Sequence, residues 1–205
     1  YTTNEARELA AQSVKDVFEQ DPNVAITTAA QLAEVFEVLQ NAAAQTELSL
    51  EEKVALVREG LPVQLPDSAL QTGLGLSSEV SAQLQAALST ILEQAYARGI
   101  KAEALTSAEE QVHREINSLY VSKSQRTFVR QLASALLKPN MFYNAAATEK
   151  LRQEAVSRVL PVMVQKGQKI IGQGDIATER EIMLLEDLGL LSAGINWRLL
   201  GGALG

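Results

Sequence analysis

Cysteine is absent from this 205-residue chain, which removes disulfides, iron–sulfur ligation and thiolate zinc sites together. Histidine occurs once, at His113, so no site that needs two imidazoles can be built. Aromatic residues make up 4%, poor material for a β-sandwich. Bases are the minority, 18 Lys and Arg against 25 Asp and Glu. The net charge of −7 has the wrong sign for general attraction to a nucleic-acid backbone, so no nucleic-acid partner is expected. No interior apolar run reaches the roughly 18 residues that span a bilayer, and no basic segment precedes an apolar stretch at the start as in a signal peptide. What is present is ordinary globular material, 46% hydrophobic and 21% charged. The length suits one large domain or two small ones.

The pattern is helical. Ala, Leu, Glu and Gln are abundant, and all favour helices. Capping-box spacing occurs at Thr28 with Gln31, Ser49 with Glu52, Ser107 with Glu110 and Thr178 with Glu181. Asn4, Asp67, Ser77 and Asn144 read as single N-caps. Gly60 and Gly99 mark helix ends, and Pro139 stops another shortly after Leu137. Between these marks, Leu32, Val35, Phe36 and Leu39 repeat at helical spacing. So do Leu84, Leu88, Ile91 and Ala95, and then Val129, Leu132, Leu136 and Leu137. About eight helices are expected, with these stripes as core.

Extended structure is expected in three places. Residues 61–66 contain two prolines and read as a connection. Residues 162–165 and 168–171 flank Lys166-Gly167, a two-residue hairpin turn. Residues 24–26 suggest a further short strand. The fold class is therefore mainly α with a small β element (α+β): a multi-helix domain whose β-hairpin near the C-terminus packs close to the N-terminal segment. The expected divisions are 1–48, N-terminal helices and a short extended segment of an α+β layer; 49–138, a helical middle subdomain; and 139–194, a C-terminal helix, hairpin and helix. In residues 195–205, Trp197 and Arg198 lead into an apolar, glycine-rich run. That run reads equally as a frayed tail or as the interfacial start of a membrane helix.

Few constellations suggest chemistry. Glu109 lies four residues before His113 on a predicted helix, but two ligands make a weak metal site and an ion-paired surface histidine explains the pair. Residues 172–177 match the dinucleotide pattern G-x-G-x-x-A. Asp175 would face a pyrophosphate with negative charge, and no acid stands about 20 residues further on. Gly172 and Gly174 are therefore read as turn glycines, with Lys166 and Gly167. The acidic pairs at 51–52, 109–110 and 186–187 cannot act as dyads, because helical neighbours do not face each other. No catalytic residue, metal ligand or cofactor is assigned. The candidate ligand or anion-binding residues are basic: Lys123, Arg126 and Arg130, at i, i+3 and i+7 of one helix, with Lys138 and Asn140 beyond its end. A solvated face is the plain alternative.

Two blocks carry a family resemblance. Residues 137–148 read LKPNMFYNAAAT, and residues 161–175 read PVMVQKGQKIIGQGD, continuing through Ala177-Thr178 to Leu191. Looser matches lie at 52–56 with 61–63, and at 21–24. The chain resembles the extracellular domain of the bacterial seven-transmembrane HD-hydrolase family, which includes membrane-anchored cyclic di-AMP phosphodiesterases. The resemblance implies a place between the first two membrane helices, so that residues 195–205 begin a truncated transmembrane helix. It implies the extracytoplasmic face of a bacterial membrane and a cytoplasmic HD phosphohydrolase elsewhere in the parent protein. The HD site itself does not carry over, since His113 is followed by Arg114.

The expected function is a non-catalytic sensor that binds an extracytoplasmic ligand and regulates cyclic di-AMP hydrolysis. The alternative is a structural or dimerisation module that positions the membrane helices. The expected partners are an unidentified ligand, the membrane through flanking helices, and a second copy in a homodimer. An enzyme in its own right ranks last, for want of a nucleophile–base pair or metal cluster.

Overall fold

The computed structural model describes residues 3–161, 168–172 and 174–190. The chain forms two compact units. The larger is Phe18–Tyr143; the smaller joins the stretch ending at Val17 to the stretch beginning at Asn144. The expected segment 1–48 is thus divided at Val17, because the long helix after it packs with the middle of the chain.

That helix is α2 (Pro22–Ala43). Asp21 caps it by accepting from the Asn23 backbone N–H at 2.9 Å, and Pro22 supplies a preset first turn. Its buried stripe packs on α3 (Leu50–Gly60), α4 (Asp67–Leu74), α5 (Ser78–Arg98) and α7 (Lys123–Leu136). A 3₁₀ turn (Ala102–Ala104) and α6 (Leu105–Asn117) link α5 to α7. All residues of the three apolar stripes read from the sequence are buried. Phe36 of α2 meets Phe128 of α7 edge to face, with ring centroids 6.0 Å apart. At Gly73 of α4, an added Cβ would lie 2.8 Å from Leu39 and 3.2 Å from Phe128. Helices α2, α4 and α7 therefore converge where a side chain in place of Gly73 would force Leu39 and Phe128 to shift.

The sheet pairs β1 (Phe18–Gln20) with β2 (Met141–Tyr143), antiparallel, in the register Phe18↔Tyr143, Glu19↔Phe142 and Gln20↔Met141. Beside it lies a buried polar cluster centred on Asn140, which is 0% exposed. Its carbonyl accepts from Ile100 N at 2.7 Å, and its amide donates to Tyr96 O at 3.0 Å. Asn140 also uses its backbone, donating to Ile100 O and accepting from Asp21 N, both at 2.9 Å. Gln20 Nε2 donates to the same Tyr96 carbonyl at 2.7 Å. The Tyr96 hydroxyl lies 3.0 Å from Thr28 Oγ1. Asn140, expected as a ligand residue, is instead a structural hub with no surface to offer.

In the smaller unit, α1 (Thr3–Ser13) packs on α8 (Ala145–Ser157), and α9 (Glu179–Asp187) follows. Asn144 caps α8 through Ala147 N at 2.9 Å. Buried Thr148 accepts from Val17 N at 2.9 Å and donates to Asn144 O at 2.8 Å. Arg152 pairs with Asp16 at 3.0 Å.

Several local expectations are corrected. Residues 24–26 form the first turn of α2, since Asp21-Pro22 opens the helix ahead of Thr28. Thr28 is buried within the helix and no cap. α6 begins at Leu105, and Ser107 turns its hydroxyl back to Ala104 O at 3.0 Å. Asn4 lies inside α1, and Asp67 is the first residue of α4, one place after its cap Pro66. The first arm of the expected hairpin and its turn, Lys166-Gly167, lie outside the described residues, and 168–171 carry no strand. The described sheet instead joins the two ends of the larger unit. Nine α-helices occur among the described residues.

Replacing Asn140 by Ala leaves Ile100 N and Tyr96 O without these partners. It is expected to cost about 2–4 kcal/mol, read from the denaturant midpoint. The capping boxes predict a pH dependence. Glu52 and Glu181 both titrate below the ordinary glutamate range, held there first by the backbone N–H of Ser49 and Thr178 and then by their hydroxyls. With lowered folded values, this stabilisation is complete above the ordinary glutamate pKa and is lost as pH falls through the lowered value. Carboxyl NMR titration should show both shifts, and Ser49→Ala should move Glu52 part of the way back.

Candidate functional site

The exposed face of α7 is the floor of a groove. One part, of about 620 Å³, lies between α7, His113 of α6 and the extended connection, with Gln64, Leu65, Arg130, Gln131 and Ser134 in its lining. A second part, of about 520 Å³, runs on towards α4 and is lined by Thr72, Lys123 and Thr127 among others. Thr127 and Gln131 line both. The sequence builds this locally. Ser122 and Gln125 form a capping box that fixes the start of α7. Pro62 and Pro66 hold residues 61–66 out of helix.

The basic stripe divides. Lys123 and Arg130 face the groove, two turns apart, or roughly 10 Å along the helix. Arg126 does not join them. Its guanidinium donates to the Leu119 and Val121 carbonyls, both at 3.3 Å, in the turn between α6 and α7. Those carbonyls lack helical partners, and a half-buried guanidinium satisfies them. Lys138 lines neither part of the groove; its backbone N–H donates to the Tyr96 hydroxyl at 3.3 Å. Gly172 and Gly174 lie in a local turn, where Gly172 N donates to the Asp175 carboxylate at 2.9 Å and Gly174 has φ of 93°. The Asp175 carboxylate is thus occupied by its own loop. Lys166 and Gly167 are outside the described residues.

His113 is drawn into the groove wall rather than left on the surface. Its Nε2 lies 2.9 Å from Ser134 Oγ and 3.3 Å from Arg130 O. Arg130 Nη2 lies 3.4 Å from Nδ1. Guanidinium can only donate, so Nδ1 accepts and Nε2 carries the proton. Ser134 Oγ in turn donates to the Glu109 carboxylate. The proton order runs from Arg130 through His113 and Ser134 to Glu109, opposite to that of an activated serine, whose hydroxyl donates to histidine. This network positions side chains and prepares no nucleophile. Among the described residues, no group of three or more His, Asp or Glu side chains could hold a metal ion. No carboxylate lies within ion-pair distance of Lys123 or Arg130 among the described residues.

Sequence reasoning reached Lys123 and Arg130 from their spacing. It missed Gln131, Thr127 and Ser134 as groove residues, and it missed the link from His113 to Ser134, 21 positions away. The Ser122 to Gln125 spacing was the one readable signal that fixes where α7 starts.

The family model for the 7TM-HD extracellular domain matches residues 1–192. The chain belongs to this family. Among curated proteins, the cyclic-di-AMP phosphodiesterase PgpH of Bacillus subtilis (strain 168) is 23% identical over 140 residues. The alignment covers 68% of this chain and 20% of that protein, so the chain spans about a fifth of its relative's length. No solved structure matches. Membership makes this an extracellular domain of a membrane-protein family, as the blocks at 137–148 and 161–191 implied. No helix among the described residues is long and apolar enough to cross a membrane, and residues 195–205 lie outside them.

The divided stripe predicts divided outcomes. Arg126→Ala should lower stability by about 1–2 kcal/mol, since the Val121 carbonyl loses its side-chain donor and the Leu119 carbonyl keeps only the Val121 backbone N–H. Arg130→Ala should stay within about 0.5 kcal/mol of the parent. Parallel urea titrations check both.

Proposed function

We propose that this domain is the extracytoplasmic, non-catalytic sensor of a membrane-bound HD phosphodiesterase, and that ligand occupancy of the α7 groove regulates cyclic di-AMP hydrolysis on the other side of the membrane. The observation that carries the reading is the family match over residues 1–192, taken with a relative named as a cyclic-di-AMP phosphodiesterase. The groove supports it from the physical side. In a protein of net charge −7, Lys123 and Arg130 stand on one open surface without a carboxylate partner among the described residues. They attract an anion from solution at little structural cost. The domain acts by preferring one of two states when the groove is filled, and the coupling equals the difference in ligand affinity between those states. Membrane helices flanking the domain transmit that preference.

The test uses the full-length membrane protein in vesicles. Lys123→Glu with Arg130→Glu should change the rate of cyclic di-AMP hydrolysis by about fivefold or more under conditions where the sensor is occupied, the lower end of ordinary allosteric coupling. An unchanged rate in a folded double variant would remove the groove from regulation. Absence of any cyclic di-AMP hydrolysis by the parent would remove the reaction.

A further inference from the structure

The groove's chemistry narrows the class of ligand, given the sensor reading above on which this inference rests. One requirement is an anion. Arg130 and Lys123 face the groove, and the one carboxylate near its wall, Glu109, already accepts from Ser134. A second requirement is an amide or similar donor–acceptor group. The lining offers the Gln64 and Gln131 amides, which both give and take hydrogen bonds, and the Thr127 and Ser134 hydroxyls, which give their protons to Lys123 O and Glu109 and so can only accept. Among the described residues, three buried side-chain atoms have no hydrogen-bond partner: Gln31 Oε1, Arg126 Nε and Gln131 Oε1. Only the last belongs to a groove residue. Its carbonyl oxygen is buried and unpaired, a desolvation that a new donor would relieve. A rotation of the Gln131 side chain that brought this oxygen to the groove would let a ligand N–H pair with it. The third requirement is small apolar bulk, because Leu65, Pro66 and Ala135 complete the lining. Aromatic platforms are few. No Phe, Tyr or Trp lines the first part of the groove; its one ring is the His113 imidazole, whose two nitrogens meet Arg130 and Ser134, and Phe128 in the second is 1% exposed. A sugar ring or nucleobase finds no broad aromatic face to stack on.

We infer that the groove along α7 recognises a short peptide with small side chains through its free terminal carboxylate, held by Arg130, and through the preceding peptide N–H, taken by Gln131. A carboxylate and an amide N–H on adjacent units of one molecule meet both polar demands. Methyl-sized side chains meet the apolar one. A cavity of about 620 Å³ has room for two or three such residues. Lys123, roughly 10 Å further along α7, serves a second negative group on longer ligands.

The experiment titrates the 205-residue chain with four probes: N-acetyl-alanyl-alanine, the same peptide with an amidated C-terminus, sodium phosphate and sodium gluconate. Nitrogen-15 NMR follows the Gln131 side-chain amide and the backbone amides of α7. The free-acid peptide should produce saturable shifts at Gln131. The amidated peptide should bind about tenfold more weakly, as should the Arg130→Ala and Gln131→Leu variants with the free acid. Unchanged melting temperatures show that the variants are folded. Equal binding of acid and amide overturns the carboxylate assignment. Saturation by phosphate or gluconate without the peptide overturns the peptide class and leaves the sensor reading standing. No saturation by any probe below about 10 mM also overturns the inference, while the vesicle assay decides the sensor reading separately.

Discussion

One buried side chain ties the larger unit together. Asn140 spends its amide on both Ile100 and the Tyr96 carbonyl, while its backbone holds Ile100 and Asp21. These bonds connect the end of α5, the start of α2 and the entry to β2, three stretches far apart in sequence. A buried amide is tolerable only when its donor and acceptor are both satisfied, and here they are. The cluster does not supply most of the folding free energy, which comes from the apolar contacts of α2 with its neighbours. It supplies selection. A packing that shifted the end of α5 relative to β2 would leave several polar groups stranded in a dry interior.

The groove depends on this order indirectly. α7 buries Phe128, Val129, Leu132, Ala133 and Leu136 on one side, and that commitment decides what the other side presents. Ser122 starts the helix and Pro139 prevents its continuation, so its rotation and its length are both set. Lys123, Thr127, Arg130, Gln131 and Ser134 are what remains when the core has taken its share. The extended connection 61–66 then walls the groove because its prolines keep it from coiling away.

Much of this was legible in the sequence, and the failures have physical causes. Apolar spacing located the core stripes, because burial of one helical face imposes a 3.6-residue period. The caps at Ser49, Ser77, Asn144 and Thr178 were readable for the same local reason. Thr28 misled because a hydroxyl that pairs with a distant tyrosine looks, in sequence, like one that caps its own helix. The short strand at 18–20 was invisible because its partner lies at 141–143, and three residues carry too little periodicity to signal a strand. Arg126 was grouped with Lys123 and Arg130 on spacing alone. Nothing local says that two carbonyls of the preceding turn would claim it. His113 and Ser134 share the same difficulty, since sequence distance hides a hydrogen bond that only the packing of α6 on α7 creates.

The pairing of Phe18 with Tyr143 has a topological consequence. These are the first and last residues of the larger unit, and they sit opposite each other in the sheet, their rings 6.0 Å apart. The unit therefore begins and ends at one spot, in the manner of a domain inserted into a host. A segment of this kind can be lengthened, replaced or lost without altering the path of the residues on either side, since whatever substitutes for it needs only to bring its own two ends together. Changes of length or sequence within the insert, its groove included, are then uncoupled from the chain path of the two segments that flank it.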